Sequence, residues 1–178
     1  ADSEFNNKGT ATFNGSGNWM GNAGAWGTLP TQPYTIYLVG KSTGTAGVFF
    51  ASGGASNRSD VDVATSYAHA YAGSNLTTTT LVTSPCIITV GFNGASSAIY
   101  VNGSLTAVLS GDVGAHTINQ TYLGGNYAGG NLLTGKIASV VITRGADTAR
   151  QRSEMLAYLG AYYGITVDSG AKRLVICD

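Results

Sequence analysis

The side chains best suited to ligand chemistry in this sequence recur in the segment Tyr67-Ala-His-Ala-Tyr71. Successive side chains of an extended strand point to opposite faces, so Tyr67, His69 and Tyr71 are predicted to share one face and the alanines the other. Rings with polar tips stack on the apolar faces of sugars and hydrogen bond to sugar hydroxyls. Packing between two sheets explains the same stripe equally well, and the sequence leaves both interpretations open.

Other aromatic residues lie in glycine-rich segments. Tyr127 lies within the glycine-rich segment 124–130, and we expect that segment to close one end of a ligand site. Trp19 and Trp26 also stand among glycines, a setting more typical of a hydrophobic lid than of a ligand contact. The predicted ligand-binding residues are therefore Tyr67, His69, Tyr71 and Tyr127.

Carboxylates are too few and too scattered to predict an enzyme. Glycoside hydrolysis needs two carboxyl groups flanking the scissile bond, yet Glu4 and Glu154 are the only glutamates. Asp60 and Asp62 alternate on one strand face, and two such close charges raise the pKa of one carboxyl. The pattern nevertheless favours an exposed strand edge, with Arg58 paired nearby. We predict no catalytic residues.

The sequence predicts neither a metal site nor a cofactor. Calcium prefers six to eight oxygen ligands, usually with several carboxylates, which this chain does not cluster. His69 and His116 show no zinc-ligand spacing relative to Cys86 and Cys177. The two cysteines are compatible with free thiols or with a disulfide that ties the C-terminal segment to the core. Cys86 opens an apolar strand and is predicted to be a small buried residue.

Composition excludes several classes of partner. Nine Lys and Arg balance nine Asp and Glu, charged residues make up only 10% of the chain, and no basic stripe suggests nucleic-acid binding. No apolar run reaches the ~20 residues that cross a bilayer, so membrane insertion is not expected. Low charge, 26 glycines and ten tyrosines suit an all-β protein with a neutral polar surface. Such a surface favours a neutral or weakly charged glycan as ligand.

Alternating apolar residues and turn signals predict at least ten short strands. The segment Cys86 to Leu109 contains three of them, the last two joined by Asn102-Gly103 as a two-residue hairpin turn. Segment 58–72 predicts one bent strand or two strands, 75–83 an edge strand and 116–123 a further strand.

The hydrophobic period then changes from two to 3.6. Thr148 and Gln151 form a capping box, and Gly164 is a suitable C-terminal cap. The helix over 148–163 is predicted to bury Met155, Leu159 and Tyr162. Together these elements predict one all-β domain over residues 1–178: a two-sheet antiparallel jelly-roll sandwich with one short C-terminal helix. Residues 166–178 form a tail or a final edge strand.

Seven short motifs occur in an order that resembles a known family. They are Ala11-Thr-Phe-Asn-Gly-Ser16, Tyr34-Thr-Ile-Tyr-Leu38, Ile88-Thr-Val-Gly-Phe-Asn-Gly94, Ile99-Tyr-Val-Asn-Gly103, Tyr122-Leu-Gly-Gly125, Gly135-Lys-Ile-Ala-Ser-Val-Val-Ile142 and Tyr158-Leu-Gly-Ala-Tyr-Tyr-Gly-Ile165. This order resembles the laminin-G-like domains of the concanavalin-A-like lectin/glucanase superfamily, especially those of phage tail, virion and bacterial surface proteins. The likeness spans roughly residues 10–165 and implies a jelly-roll sandwich.

The resemblance implies several functions, because members of that superfamily include lectins, hydrolases, adhesion modules and structural spacers. We expect a non-catalytic carbohydrate-recognition module of a larger virion or cell-surface protein, with a cell-surface glycan as partner. Its location would be the virion or the extracellular surface. The alternative is a structural or docking module of a phage particle, with other virion subunits or a second copy as partner. A hydrolase is a third and weaker interpretation.

Overall fold

The computed structural model describes residues 1–22, 31–54, 57–103 and 109–168. Within these residues, twelve strands form two antiparallel six-stranded sheets, and one α-helix follows them. The first sheet has the order β1-β12-β3-β8-β9-β10, with β1 (Ala11–Asn14), β12 (Thr134–Arg144), β3 (Tyr34–Ser42), β8 (Cys86–Phe92), β9 (Ser97–Val101) and β10 (Leu109–Gly111). The second sheet has the order β2-β11-β4-β5-β6-β7, with β2 (Met20–Asn22), β11 (Thr121–Leu123), β4 (Ala46–Ser52), β5 (Ser59–Ala64), β6 (Tyr67–Tyr71) and β7 (Asn75–Leu81). The predicted two-sheet sandwich is confirmed.

The main core lies between the sheets and is built from alternate strand residues. The central strand β3 contributes Ile36 and Leu38, and the second sheet contributes Phe49, Val61 and Ala70, all essentially inaccessible to solvent. Burial of such apolar side chains is the main stabilising term of the fold, at about 1.5–3 kcal/mol for each large side chain.

The helix α1 (Ala149–Tyr163) begins and ends as its caps predict. The Thr148 side chain accepts from the Gln151 backbone N–H, and Gln151 reaches back to the Thr148 backbone, which completes the capping box. Gly164 has φ +69°, and the Ile165 N–H donates to the Gly160 carbonyl at 2.9 Å. Both caps agree with the sequence prediction.

The buried face of α1 differs from the predicted one. Leu156, Leu159 and Tyr163 are buried, whereas Tyr162 is 44% exposed and Met155 only partly buried. The prediction that Tyr162 lies on the packed face is therefore wrong. The helix is rotated so that the Tyr163 ring, with its hydroxyl 3.2 Å from the Ala138 carbonyl, packs on the sheet instead.

The helix covers the outer face of the first sheet. Tyr37 and Val39 of β3 and Ile87 of β8 form a second apolar cluster with Leu156 and Leu159 of α1. Phe5, Tyr163 and Ile165 complete this cluster. The central strands of the first sheet are consequently apolar on both faces, which explains their unbroken hydrophobic runs.

The prediction for the Asn102-Gly103 turn is correct for the backbone angles and wrong for the strand pairing. Both residues have positive φ, +52° and +73°, as a type I′ turn requires. However, Leu109 pairs with Ile99, and this register is incompatible with a two-residue hairpin centred on 102–103. The predicted tight hairpin is therefore wrong, and the connection continues through 104–108, which lie outside the described residues. Asn102 is instead tied to β8, because its side-chain oxygen accepts from the Ile87 N–H at 2.9 Å.

Segment 58–72 folds as two strands, β5 and β6, joined at Thr65 and Ser66. Both joining residues have positive φ, +54° and +67°, although neither is glycine or asparagine. The predicted edge strand at 75–83 is β7, and it forms one edge of the second sheet. Of the predicted strand 116–123 only Thr121–Leu123 is a strand.

Cys86 is buried, and its Sγ lies 3.5 Å from the Gly40 carbonyl. Burial raises the pKa of the Cys86 thiol to about 12, so the group behaves as a small apolar residue, as predicted. Cys177, Trp26 and the predicted edge strand in the C-terminal tail lie outside the described residues. The helix of the described chain is neither long enough nor apolar enough to cross a bilayer.

Candidate functional site

The stripe of Tyr67, His69 and Tyr71 faces away from the core. Ala68 and Ala70, which alternate with them on β6, are fully buried in the main core. The three ring-bearing side chains therefore lie on the outer face of the second sheet, and packing between the two sheets does not account for them. Tyr67 and Tyr71 are partly exposed, and His69 is 9% exposed.

His69 is held by the neighbouring strand. Asp62 of β5 lies directly opposite His69 in the strand register, and the Asp62 carboxylate contacts His69 Nδ1. This contact fixes the orientation of the imidazole ring. His69 is therefore a pre-positioned group, with Nδ1 engaged by Asp62 and a further hydrogen bond to the Asn75 side chain.

Arg58 forms a second paired unit on the same face. Its Nε lies 2.5 Å from Asp60 Oδ2, and its guanidinium carbon lies 4.5 Å from the centroid of the Tyr71 ring. The Arg58 backbone N–H donates to His116 Nδ1 at 3.1 Å, and the His116 ring meets Tyr71 edge-on at 5.9 Å. Two residues distant in sequence, Arg58 and His116, thus frame the Tyr71 ring. We name Arg58, Asp60, Asp62, His69, Tyr71 and His116 the outer-face cluster.

Asp60 is not at an exposed edge, contrary to the sequence prediction. The residue is 1% exposed because β5 is an interior strand, flanked by Ala51 of β4 and Tyr71 of β6. The predicted pairing with Arg58 is present. Burial raises the pKa of the Asp60 carboxyl to about 7, with the Asp62 charge adding to the rise and Arg58 opposing it.

The pKa of His69 is also raised. Burial alone would lower it, but the hydrogen bond and the negative charge of Asp62 outweigh burial. Asp60 and His69 therefore both hold a proton more readily than the same groups do in an unfolded chain. Their chemistry is that of proton uptake and hydrogen bonding.

An apolar patch continues the same face beyond Asp60. Val48, Ala51 and Tyr122 are buried together there, and the Trp19 ring lies 5.8 Å from the Tyr122 ring. Trp19 nevertheless remains 40% exposed. The outer face of the second sheet thus combines a polar half on β5 and β6 with an apolar half on β4 and β11.

Tyr127 lies at the far side of this face. It belongs to the loop after β11, a strand separated from β6 by β4 and β5. A Cβ added at Gly125 or Gly129 would lie 3.1 or 3.3 Å from Trp19 atoms, so the loop packs closely on that ring. The Tyr127 ring is 36% exposed. The structure therefore brings Tyr67, His69 and Tyr71 together and leaves Tyr127 across the sheet from them.

Sequence analysis assigned no ligand role to Arg58 or His116. A signal for Arg58 was present, because residues 58, 60 and 62 alternate and an extended strand places alternate residues on one face. His116 gave no such signal, since its position beside Tyr71 depends on a loop that returns from a distant part of the chain.

In the described part of the chain, no three His, Cys, Asp or Glu side chains converge as a metal site. Both closely spaced carboxylates on the outer face are already engaged, Asp60 with Arg58 and Asp62 with His69. The chemistry that this arrangement offers is hydrogen bonding, ring contact and local charge.

Comparison with known proteins identifies the fold. No protein-family model and no curated protein matches the sequence. Among solved structures, the chain is similar to a putative carbohydrate binding protein from Bacteroides ovatus, with 18% identity, a TM-score of 0.61, and coverage of 78% of this chain and 44% of that one. It is also similar to the LG1-3 region of the laminin alpha2 chain, with 10% identity, a TM-score of 0.58, and coverage of 75% and 26%.

A third similar structure is the CBM40 of the Ruminococcus gnavus IT-sialidase bound to alpha2,3 sialyllactose. The identity is 12% and the TM-score 0.54, over 85% of this chain and 98% of that chain. This chain thus spans the whole CBM40 structure, under half of the Bacteroides chain and about a quarter of the laminin chain. The predicted resemblance is confirmed at the level of the fold: this chain has the laminin-G-like, concanavalin-A-like jelly-roll fold.

Proposed function

We propose that this chain is a non-catalytic carbohydrate-recognition module whose ligand binds the outer face of the second sheet. One observation carries the proposal: β6 directs its alanines into the core and Tyr67, His69 and Tyr71 to a face on which no described helix lies. Ring-bearing side chains with polar tips, next to pre-oriented hydrogen-bonding groups, suit a polyhydroxylated ligand.

The four candidate residues have different proposed roles. Tyr67 offers a partly exposed ring for stacking, next to its cross-strand neighbour Leu81, which is 57% exposed at the sheet edge. Tyr71 is covered on one ring face by Arg58, so it contributes its hydroxyl and its other face. His69 supports the site through its pair with Asp62, and Tyr127 closes the opposite end.

The wider setting belongs to the same proposal. Two of the similar structures are a putative carbohydrate binding protein and a CBM40 bound to alpha2,3 sialyllactose, and the chain spans less than half of the first of these. The low charge content suits a module on an extracellular or virion surface. We propose that it acts within a larger surface or virion protein. Single-site sugar affinity would then be weak, and several copies engaging one surface would supply avidity.

A multivalent form screened on a glycan array tests the proposal. The wild type is compared with Tyr67→Ala/Tyr71→Ala, and the matched control is Tyr158→Ala/Tyr162→Ala, which removes two exposed tyrosines from α1 on the opposite side of the sandwich. We expect the first double variant to lose retention and the control to keep it. Retention of no glycan, or equal retention by the first variant with its fold intact by circular dichroism, would refute the proposal.

A docking role is the second candidate, and a different surface favours it. Tyr158 is 62% exposed and stacks on Tyr162 with ring centroids 6.0 Å apart. Beside them a cleft of ≈ 590 Å³ lies between β12 and α1. If the α1 double variant, rather than the β6 double variant, abolishes association with a virion subunit or a second copy, the docking role takes precedence.

A further inference from the structure

The outer-face cluster contains more charge than the neutral chain as a whole suggests. We propose that this face selects sugars that bear a carboxylate, that Arg58 contacts that carboxylate, and that protonation of the neighbouring acids controls the affinity. The inference rests on the proposed function and names the substrate class of the same site.

Arg58 has the geometry of a prepared anion receptor. Asp60 forms an ion pair with the guanidinium, the Tyr71 ring supports one face of it, and His116 anchors the Arg58 backbone. The Arg58 side chain is still 29% exposed. A planar guanidinium held in one orientation binds carboxylates in a bidentate manner at little further entropy cost.

The charged and titratable groups close to Arg58 and His69 come from β5, β6 and one loop. Asp60 and Asp62 come from β5, Tyr67, His69 and Tyr71 from β6, and His116 from the following loop region. The flanking positions on the outer face of β4 and β7 are uncharged: Val48, Ala51, Asn75 and Thr77. Tyr34 approaches Asp60 from β3 across the core. Arg58 is therefore the permanent cation among groups that change charge with pH.

The net charge of this cluster changes sign near neutrality. When both aspartates are ionised and His69 is neutral, Arg58 is outnumbered by two carboxylates and the cluster, with Arg58 included, carries a net negative charge. When Asp60 is neutral and His69 is protonated, the same cluster carries a net positive charge, and Arg58 loses its competing partner. Burial raises the pKa of Asp60 to about 7, and Asp62 raises the pKa of His69, so the change begins as pH falls through about 7.

A carboxylate ligand would therefore be repelled at alkaline pH and attracted at mildly acidic pH. Binding should also take up a proton, because a ligand anion beside Arg58 replaces the Asp60 charge and favours its neutral form. A sugar without a charge would show neither effect. The shared aromatic contacts should remain the same for both kinds of ligand.

The test uses matched sugars that differ only in the carboxylate: alpha2,3 sialyllactose beside its methyl ester, and oligogalacturonate beside its methyl ester, all immobilised with other acidic and neutral glycans. Retention of the multivalent protein is measured at about pH 5.5 and about pH 8. We expect at least one acidic glycan to be retained roughly tenfold or more better at the lower pH, the change that one unit of pKa corresponds to.

Three variants separate the roles. Arg58→Gln should bind the acidic sugar no better than its neutral counterpart. Asp60→Asn should prefer the acidic sugar at the higher pH as well as at the lower pH. The control Arg150→Gln removes the same charge from an exposed ion pair on α1 and should behave as wild type. Isothermal titration in two buffers of different ionisation enthalpy should report proton uptake with the acidic glycan that the array retains.

The outcomes distinguish this inference from the function on which it rests. If neutral glycans are retained equally at both pH values and only Tyr67→Ala/Tyr71→Ala abolishes retention, the acidic preference is refuted and carbohydrate recognition stands. If Arg58→Gln retains acidic glycans as wild type does, the assignment of Arg58 is refuted. If no glycan is retained at either pH, the proposed function and this inference both fail.

Discussion

The outer faces of the two sheets are built by the same alternation of strand residues and completed in opposite ways. On the first sheet, Tyr37 and Ile87 are covered by Leu156 and Leu159 of α1. On the second, Asp62 and its cross-strand partner His69 satisfy one another without a covering helix. An apolar face requires a cover to leave water, whereas a face of internally paired polar groups can stay available to a ligand.

Leu159→Ala should cause the largest loss of stability, because it disrupts the packing of α1 on the first sheet. Leu159 is 2% exposed, and its truncation leaves a cavity between α1 and the sheet. The free energy of unfolding should fall by about 2–5 kcal/mol, measured by urea denaturation. Tyr158→Ala, at the adjacent and 62% exposed position, is the control and should change it far less. Equal losses for both would show that α1 does not pack as described.

Gly103→Val should cause the second-largest loss of stability. Gly103 has φ +73°, and a Cβ there would lie 2.6 Å from the Asp168 carbonyl oxygen and 3.0 Å from Leu156. Strain and overpacking together should lower stability by about 2 kcal/mol or more. Gly17→Val is the matched control, since Gly17 has φ +80° but nothing within 4 Å. If Gly103→Val lowers stability no more than Gly17→Val does, backbone strain alone explains the loss and close packing around Gly103 contributes nothing.

The free energy of unfolding should depend on pH because of the titratable groups on the outer face of the second sheet. The Asp60 pKa is raised from 3.8 to about 7, so this group stabilises the fold fully below about pH 4 and loses that contribution as pH rises through 7. The upward shift of His69 acts in the same direction. The free energies of unfolding of wild type and Asp60→Asn, measured by urea denaturation from acidic to mildly alkaline pH, should differ by an amount that changes by roughly a few kcal/mol across this range, since one unit of pKa corresponds to about 1.4 kcal/mol.

The carboxylates of the N-terminal region provide an internal contrast for this experiment. Lys136 and Lys41 lower the pKa of Glu4, and Lys136 lowers that of Asp2, so their stabilising contributions are lost as pH falls. They are common to both proteins and cancel in the difference. A difference that grows toward acid instead of toward neutral pH would mean that Asp60 is not buried as described.

The smallest effect should be a gain in stability, from substitutions in the turn that joins β5 and β6. Thr65 and Ser66 hold positive φ without the residues that favour it. Thr65→Asn/Ser66→Gly should raise the free energy of unfolding by about 1 kcal/mol, because Asn-Gly suits a type I′ turn. Thermal denaturation measures this change. A loss of stability would indicate that the two native side chains make contacts that outweigh the strain.

Local signals predicted most of the elements. The alternation of β5 and β6 and the two caps of α1 depend on residues close in sequence, and the structure has them at those positions. The Asn102-Gly103 signal was also locally right, since both φ angles are positive. The error lay in the register of β10, which is set by pairing with β9 and not by the turn itself.

The candidate site was predictable to the extent that it follows a single strand. The common face of Tyr67, His69 and Tyr71 is a property of β6 alone. The burial of Asp60 depends on β5 lying between β4 and β6, which strand order decides. The place of His116 beside Tyr71 likewise depends on long-range folding, so neither was accessible to a pattern of neighbouring residues.

Phe5 and Ile165, near the two ends of the described chain, pack in the same cluster under α1. The Asn6 side chain also donates to the Tyr162 carbonyl, at 3.2 Å. The segments that contain Phe5 and Ile165 are thus packed on one side of the sandwich, and the outer-face cluster lies on the other side. The described segments around Phe5 and Ile165 therefore lie behind the sheet that carries the proposed site, and they leave its outer face open to a ligand.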